Sequence, residues 1–228
     1  MEAFDVIVLG AGAAGLMCAS VAGQRGRRVL LLDHADKVGS KILISGGGRC
    51  NFTNLEARAE RYLSQNPHFA RSALSRYTAQ DFIALVEKHR IAYHEKTLGQ
   101  LFCDGSAREI VAMLMAECRA GNVDVRVRHR VTDITGGEGF RVETDQGAFR
   151  ADRLVLATGG PSIPKMGATA FSHEVARHFG LAVTETRPAL VPLTAAGELL
   201  AFCQQLAGVA VEAVVRCSRQ SFRENILF

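Results

Sequence analysis

The chain has 228 residues, 48% hydrophobic and 22% charged, which is ordinary for a globular protein and enough for one large domain or one and a half. Its 27 basic and 23 acidic residues leave a net charge of +4, too mild to argue for nucleic acid, and no basic block with interleaved aromatics stands out. The six cysteines, Cys18, Cys50, Cys103, Cys118, Cys203 and Cys217, form no CxxC pair, which argues against a disulfide framework or a zinc site and for reduced thiols in the cytoplasm.

In chain order, "FDVIVL" (4–9) is a short apolar run ending in glycine, the pattern of a strand buried on both faces of a parallel sheet. "GAGAAG" and a helix of small residues through Val21 follow, Gly26 stops the helix, and a second buried strand runs from Val29 to Asp33. Together they make a βαβ unit. Residues 6–24 carry no charge and are long enough to span a bilayer, but they hold four glycines and an acidic lead-in, so they are read as strand, turn and helix rather than a membrane segment. The triplet Gly46–Gly48 is expected to be a glycine-rich loop, and residues 66–90 to be helical, with Phe82, Ile83, Leu85 and Val86 on one side. A short strand near 91–94 precedes a helix capped by Ser106, with Glu109 three residues on as a capping box and Gly121 as its stop.

"VDVRVRHRVTDI" (123–134) reads as a strand, with Arg126, Arg128 and Arg130 alternating on one solvated face. "FRVETDQGAFRA" is a hairpin turning at Asp145-Gln146-Gly147, and "DRLVLATGG" is a further buried strand entering a Gly-Gly turn. "SHEVARHFG" is a helix ended by Gly180, "RPALVPL" (187–193) a crossing between domains, and "GVAVEAVVRC" (208–217) a strand. His94 and His129 are placed on strand surfaces and His173 at a helix start.

The first chemistry-bearing stretch is Gly10-Ala11-Gly12-Ala13-Ala14-Gly15. It follows a strand, opens a helix, and has Asp33 eighteen residues beyond Gly15 at the end of the next strand. That context makes a bare GxGxxG into a dinucleotide fingerprint. Gly10 makes the tight turn, Gly12 admits the pyrophosphate, Gly15 lets helix and strand approach, and Asp33 accepts ribose hydroxyls. The helix N-terminus offers N–H groups and partial positive charge to the phosphates. The fingerprint alone leaves NAD or FAD open.

"GSKILISGGGRCNFTN" (39–54), "LVLATGGPSIPKMGATAFSHEVARHFGL" (154–181) and "RPALVPL" together resemble the BaiN-like/YhiN-like flavoproteins, NAD(P)/FAD-dependent oxidoreductases with a two-part dinucleotide fold and an inserted substrate domain. The resemblance covers essentially the whole chain. It implies an α/β Rossmann-like FAD-binding domain over 1–187, with a parallel sheet and a β-hairpin excursion, and the start of an inserted, mainly β substrate domain over 188–228. It implies FAD, with NAD(P)H as a candidate electron donor. Gly10, Gly12, Ala13, Ala14, Gly15 and Asp33 would hold the adenosine side. Lys41, Ser45, Gly46, Gly47, Gly48, Arg49, Cys50 and Asn51 would follow the pyrophosphate, ribityl chain and flavin; Val131 would meet the adenine, and Ala157, Thr158, Gly159 and Gly160 would turn over the dinucleotide. Three departures are visible. Asp33 stands where the family more often has Glu, residues 167–172 replace a glycine-rich segment and receive no role, and members of the family run nearly twice as long, which leads us to expect a truncated chain or fragment.

Arg49, always cationic, suits a phosphate or an electron-rich flavin edge. Cys50 is read as a small buried residue rather than a covalent flavin ligand. Asn51 and Asn54 either donate to the flavin or cap a turn. No acid–base pair stands out, as expected where a cofactor carries the chemistry. The expected activity is hydride or electron-pair transfer between a flavin and a small organic substrate or NAD(P)H, with no nucleic acid, membrane or metal involved. A non-catalytic remnant and a flavoprotein that modifies tRNA are the alternatives.

Overall fold

A computed structural model describes residues 1–163, 167–188 and 193–228. The chain divides into two compact units, residues 1–183 and 184–228.

The larger unit opens as its pattern dictates. β1 (Glu2–Leu9) leads into α1 (Ala13–Gln24), and the chain returns as β2 (Val29–Leu32), parallel to β1 with Val6 opposite Val29 and Leu9 opposite Leu32. Alternation along these strands fills two cores. Val8, Val29 and Leu31 meet Leu16 and Ala19 of α1, while Ile7, Leu9, Leu30 and Leu32 face the other way. A strand buried on both faces has no polar side to show, which is why both read as continuous apolar runs. No helix among the described residues is long and apolar enough to cross a membrane.

The glycine triplet is not a loose loop. α2 (Ser40–Ile44) runs into a tight 3-10 turn at Ser45–Gly48, and β3 (Asn51–Asn54) follows. Gly46, Gly47 and Gly48 all take positive φ, and a Cβ on Gly46 would lie 2.6 Å from the Phe102 ring. Only glycine meets both demands.

The expected helix over 66–90 is two, α3 (Arg71–Arg76) and α4 (Ala79–Lys88). The break is Thr78, whose hydroxyl accepts the Asp81 N–H at 3.2 Å while its own N–H donates to the Asp81 carboxylate at 2.7 Å. This capping box starts a new helix where the apolar period alone suggested continuation. Thr78→Ala is expected to lower unfolding free energy by about 1 kcal/mol and Thr78→Ser to restore most of it, read by urea titration; equal midpoints for Thr78→Ala and wild type would contradict this.

β4 (Tyr93–Glu95) and β5 (Gln100–Cys103) join β3 in a small antiparallel sheet of order β3-β5-β4. α5 (Ala107–Ala120) carries the expected capping box, with the Ser106 N–H donating to Glu109 at 2.9 Å. Its inner side, Ile110, Met113, Leu114 and Cys118, packs into the core shared with α1.

Residues 123–134 are not one strand. β6 (Asp124–Arg126) is parallel to β2 at one edge of the main sheet, whereas β7 (Val131–Gly137) lies at the opposite edge. Arg128, at φ +58°, turns the chain between them. The three arginines therefore share no face. The Arg126 guanidinium pairs with Glu2 at 2.8 Å and Asp124 at 2.6 Å and lies over the Phe149 ring.

β8 (Gly139–Thr144) and β9 (Gly147–Leu156) form the expected hairpin. The hairpin arm and the "RLVL" strand are one element: β9 is antiparallel to β8 over its first half and parallel to β1 along its length, with Ile7 opposite Leu154. The sheet order is β6-β2-β1-β9-β8-β7. Leu154, Val155 and Leu156 are half-buried rather than buried. α6 (Phe171–His178) packs Val175 against the second core.

The smaller unit holds α7 (Gly197–Gln205) and an antiparallel hairpin of β10 (Ala210–Cys217) and β11 (Gln220–Leu227). Neither α7 nor β11 was expected from the sequence. Of the expected crossing, residues 189–192 lie outside the described residues.

Candidate functional site

At the C-terminal ends of β1, β2 and β9 a crevice of about 390 Å³ opens. That is where an open α/β sheet binds its ligand. Gly10 anchors the floor. Its N–H donates to the Leu32 carbonyl at 2.7 Å, and Ala157 N–H donates to Leu9 at 2.8 Å, so the two glycine-bearing turns are clasped together. A Cβ on Gly10 would lie 2.6 Å from the Ala157 carbonyl, and one on Gly15 only 1.8 Å from the Gly10 carbonyl. Gly12 is different: nothing stands within 4 Å of where its Cβ would be. Space is left there for something that is not protein.

The N-terminus of α1 opens into that space. Gly12 provides no side-chain cap, and Ala13 and Ala14 are exposed on the crevice wall. Uncapped N–H groups at a helix start favour an anion. Asp33 braces the turn, accepting the Ala11 N–H at 2.6 Å on one oxygen and the Ala35 N–H at 2.8 Å on the other. Each oxygen keeps a lone pair for a hydroxyl donor on the crevice side.

Of the sequence-derived candidates, Gly10, Gly12, Ala13, Ala14, Asp33, Lys41, Val131, Ala157, Thr158 and Gly159 line the crevice. Gly15 lies buried behind Gly10, and Gly160 is not in the lining. Lys41 Nζ approaches the Ser162 hydroxyl at 3.4 Å, and Thr158 hydrogen-bonds Ser172.

Ser45, Gly46, Gly47, Gly48, Arg49, Cys50 and Asn51 are outside the crevice lining. Arg49 is exposed and, among the described residues, has no carboxylate within ion-pair reach. Cys50 is buried, and burial pushes its thiol pKa up, which keeps it protonated and a poor nucleophile. Asn54 caps a turn: its side-chain oxygen accepts Glu56 N–H at 2.7 Å and its amide donates to the Leu98 carbonyl at 2.9 Å.

Sequence reading missed part of the rim. His129 is not on a strand surface; it sits in the turn between β6 and β7, lines the crevice, and donates through Nδ1 to the Val127 carbonyl at 2.8 Å. Arg130 and His34 also line it, as do Gly167, Ala168, Thr169 and Phe171 from the segment given no role. The only available signal for His129 and Arg130 was their place just before Val131.

The lining has the chemistry of a dinucleotide site. It combines open backbone at a helix start, a carboxylate beyond the second strand, cations at Lys41 and Arg130, and an apolar wall of Leu9, Ile42 and Phe171. A model of the HI0933-like protein Rossmann domain matches residues 4–223. The chain belongs to the HI0933-like family.

HI0933-like proteins are flavin-dependent oxidoreductases of Rossmann fold. The chain is 55% identical over its whole length to the ribosomal RNA dihydrouridine synthase of Escherichia coli K12, of which it covers 58%. It is 43% identical over 97% of its length to the enzyme of the same name from Haemophilus influenzae, covering 57% of that protein. The chain thus spans under two thirds of the length of these HI0933-like relatives. Glycine oxidase from Geobacillus kaustophilus superposes with a TM-score of 0.55 at 17% identity, over 80% of this chain and 60% of its own, a likeness of fold alone.

These relatives overturn the expectation of a small-molecule substrate and no nucleic-acid partner, since both are named for ribosomal RNA. Net charge is a weak guide to such a partner, because it averages over a surface. The stretch from Arg58 to Tyr77 holds four arginines, one histidine, three aromatic rings and a single acid.

Proposed function

We propose that this chain is the FAD-binding part of an enzyme that reduces a uridine in ribosomal RNA to dihydrouridine. The observation that carries the reading is 55% identity, sustained across the whole chain, to a ribosomal RNA dihydrouridine synthase. The crevice supports FAD on independent grounds, since the empty space beside Gly12 at the start of α1 is one that any side chain would fill.

When bound, FAD supplies a two-electron hydride relay, which on this reading saturates the C5=C6 bond of the base with electrons from NADH or NADPH while a proton is added separately. The chain's own residues do the holding. The N–H groups at the start of α1 would face the diphosphate, with Lys41 and Arg130 offsetting its charge. Asp33 would take ribose hydroxyls on its remaining lone pairs, and Val131 and the Ala157–Gly160 turn would flank the adenosine. The Ser45–Asn51 turn, whose positive φ angles at Gly46, Gly47 and Gly48 suit glycine, would stand along the flavin with Arg49 beside it.

Two measurements test this. Protein denatured after purification is expected to release FAD. Ribosomal RNA from cells lacking the gene is expected to lose a dihydrouridine, detected by mass spectrometry of nucleosides, and to regain it when the gene is returned. Unchanged dihydrouridine content in the deletion strain would overturn the reaction, and absence of any released flavin would overturn the cofactor.

A further inference from the structure

Among the described residues of the larger unit, the aromatic rings that stand exposed are Tyr62, Phe69 and Tyr77. Phe69 is 82% exposed, and its neighbour in the stretch Leu63 is 96% exposed. Single exposed apolar residues are common on protein surfaces and need no explanation. Three rings gathered into sixteen residues, with none exposed elsewhere among the unit's described residues, do need one.

The charge of the same stretch is one-sided. Between residues 58 and 77 stand Arg58, Arg61, Arg71 and Arg76, against Glu60 alone. All four arginines are exposed. Arg58 and Arg61 share Glu56, a solvent-exposed pairing that is weak and open to exchange for a phosphate. Arg71 and Arg76 have no carboxylate within ion-pair reach among the described residues. Backbone order holds the segment up for contact. Asn66 accepts the His68 N–H at 3.0 Å on its side chain and the Phe69 N–H at 3.1 Å on its carbonyl, while α3 begins at Arg71.

Exposed rings and arginines also occur at protein interfaces, and the two RNA-named relatives are what select nucleic acid for these residues. Rings and arginines together match unpaired nucleotides, whose bases stack on aromatic faces while arginines hold the phosphates; a duplex keeps its bases stacked inside and leaves rings nothing to take. The segment begins four residues after β3, the strand that follows the glycine turn.

We propose that residues 58–77 form the docking surface for an unpaired loop of RNA, with the three rings stacking on bases and the four arginines gripping the backbone. This rests on the RNA reading above and adds where the RNA sits.

The test uses FAD-loaded protein and a fluorescent RNA hairpin with a uridine-containing loop, read by anisotropy across a salt series. Phe69→Ala is expected to weaken binding about tenfold, and Phe69→Tyr to keep it. Arg71→Ala with Arg76→Ala is expected to weaken binding and to lower the slope of log affinity against log salt by about 1.4, the loss of two single-strand phosphate contacts. FAD content and thermal midpoint are expected to stay at wild-type values in every variant. Hairpin binding by the variants equal to wild type overturns the surface and leaves the reaction standing. Equal affinity for a fully paired duplex also overturns it, as does a change of oligomeric state in the variants with RNA affinity intact. A wild type that does not bind the hairpin overturns it too, and the dihydrouridine content of the deletion strain then decides separately whether the reaction falls as well.

Discussion

Gly15→Ala is expected to destabilise the larger unit by about 3 kcal/mol or more, whereas Gly12→Ala should fold normally and lose its cofactor. The two glycines belong to one motif, but their surroundings are opposite. A Cβ on Gly15 would stand 1.8 Å from the Gly10 carbonyl and 3.4 Å from the Ala157 side chain. Gly10 cannot yield, because its N–H is tied to Leu32 and its own Cα faces the Ala157 carbonyl. Gly12 sits at φ −85°, a conformation any residue adopts, beside open space. A methyl there would meet only a ligand. Thermal melts of FAD-free protein are expected to separate the pair by several degrees, with Gly12→Ala near wild type. Bound FAD after purification should fall at least tenfold for Gly12→Ala, on the order of 1.4 kcal/mol of lost contact. A Gly15→Ala protein melting with wild type, or a Gly12→Ala protein retaining full flavin, would contradict this account.

The second large effect lies away from the crevice, at Glu117. Among the described residues it is the one charged side chain that is buried. It receives Lys88 at 2.8 Å, His89 at 2.6 Å and the Gln24 amide at 2.8 Å, so one carboxylate on α5 ties down α1 and the end of α4. Hydrogen bonds from Lys88, then His89, then Gln24 pull its pKa from an ordinary 4.5 down to about 2. A carboxyl whose pKa is depressed on folding stabilises the fold above its unfolded pKa, and that stability disappears as pH falls through the folded value. Wild-type unfolding free energy is therefore expected to drop by about 2–3 kcal/mol between pH 5 and pH 2 from this group. Glu117→Gln should lose about the same amount at pH 7 and show a flatter profile across that acid range. Urea titrations at a series of pH values supply the comparison; parallel profiles for the two proteins would show that Glu117 carries no such load.

Much of the frame was legible because local and long-range signals agreed. The runs at 4–9 and 29–33 had to be buried strands, the Ser106–Glu109 box had to start a helix, and Asp145-Gln146-Gly147 had to turn a hairpin. Legibility failed where one periodic stretch served two elements. Residues 123–128 alternate apolar and polar, and nothing in "RVRHR" shows that Arg128 leaves the extended region without a glycine to help it. Residues 66–90 hid a break because Thr78 looks like any polar residue until Asp81 is seen as its partner. The converse error divided β9 in two, since its hairpin half and its parallel half carry different patterns. At the candidate site, the fingerprint glycines and Asp33 could be placed from sequence, but the rim of His129, Arg130 and Phe171 comes from segments far apart in the chain. The basic and aromatic composition of residues 58–77 is visible in the sequence, whereas the exposure of its rings and arginines is visible only in the fold.

The dual pairing of β9 also sets the order in which the molecule can assemble. Its antiparallel partner β8 is two residues away, across Asp145 and Gln146, so that contact closes with almost no loop entropy. Its parallel partner β1 lies at the other end of the unit, with Ile7 opposite Leu154. Such a pairing closes one of the longest loops the unit contains and belongs to the slow, high-contact-order part of folding. The clasp between Gly10 and Ala157 exists only once that loop is shut. A nascent chain therefore carries the α1 half of the crevice long before the β9 half is synthesised, and the lining that reaches Phe171 is present only after the ribosome has delivered residue 171.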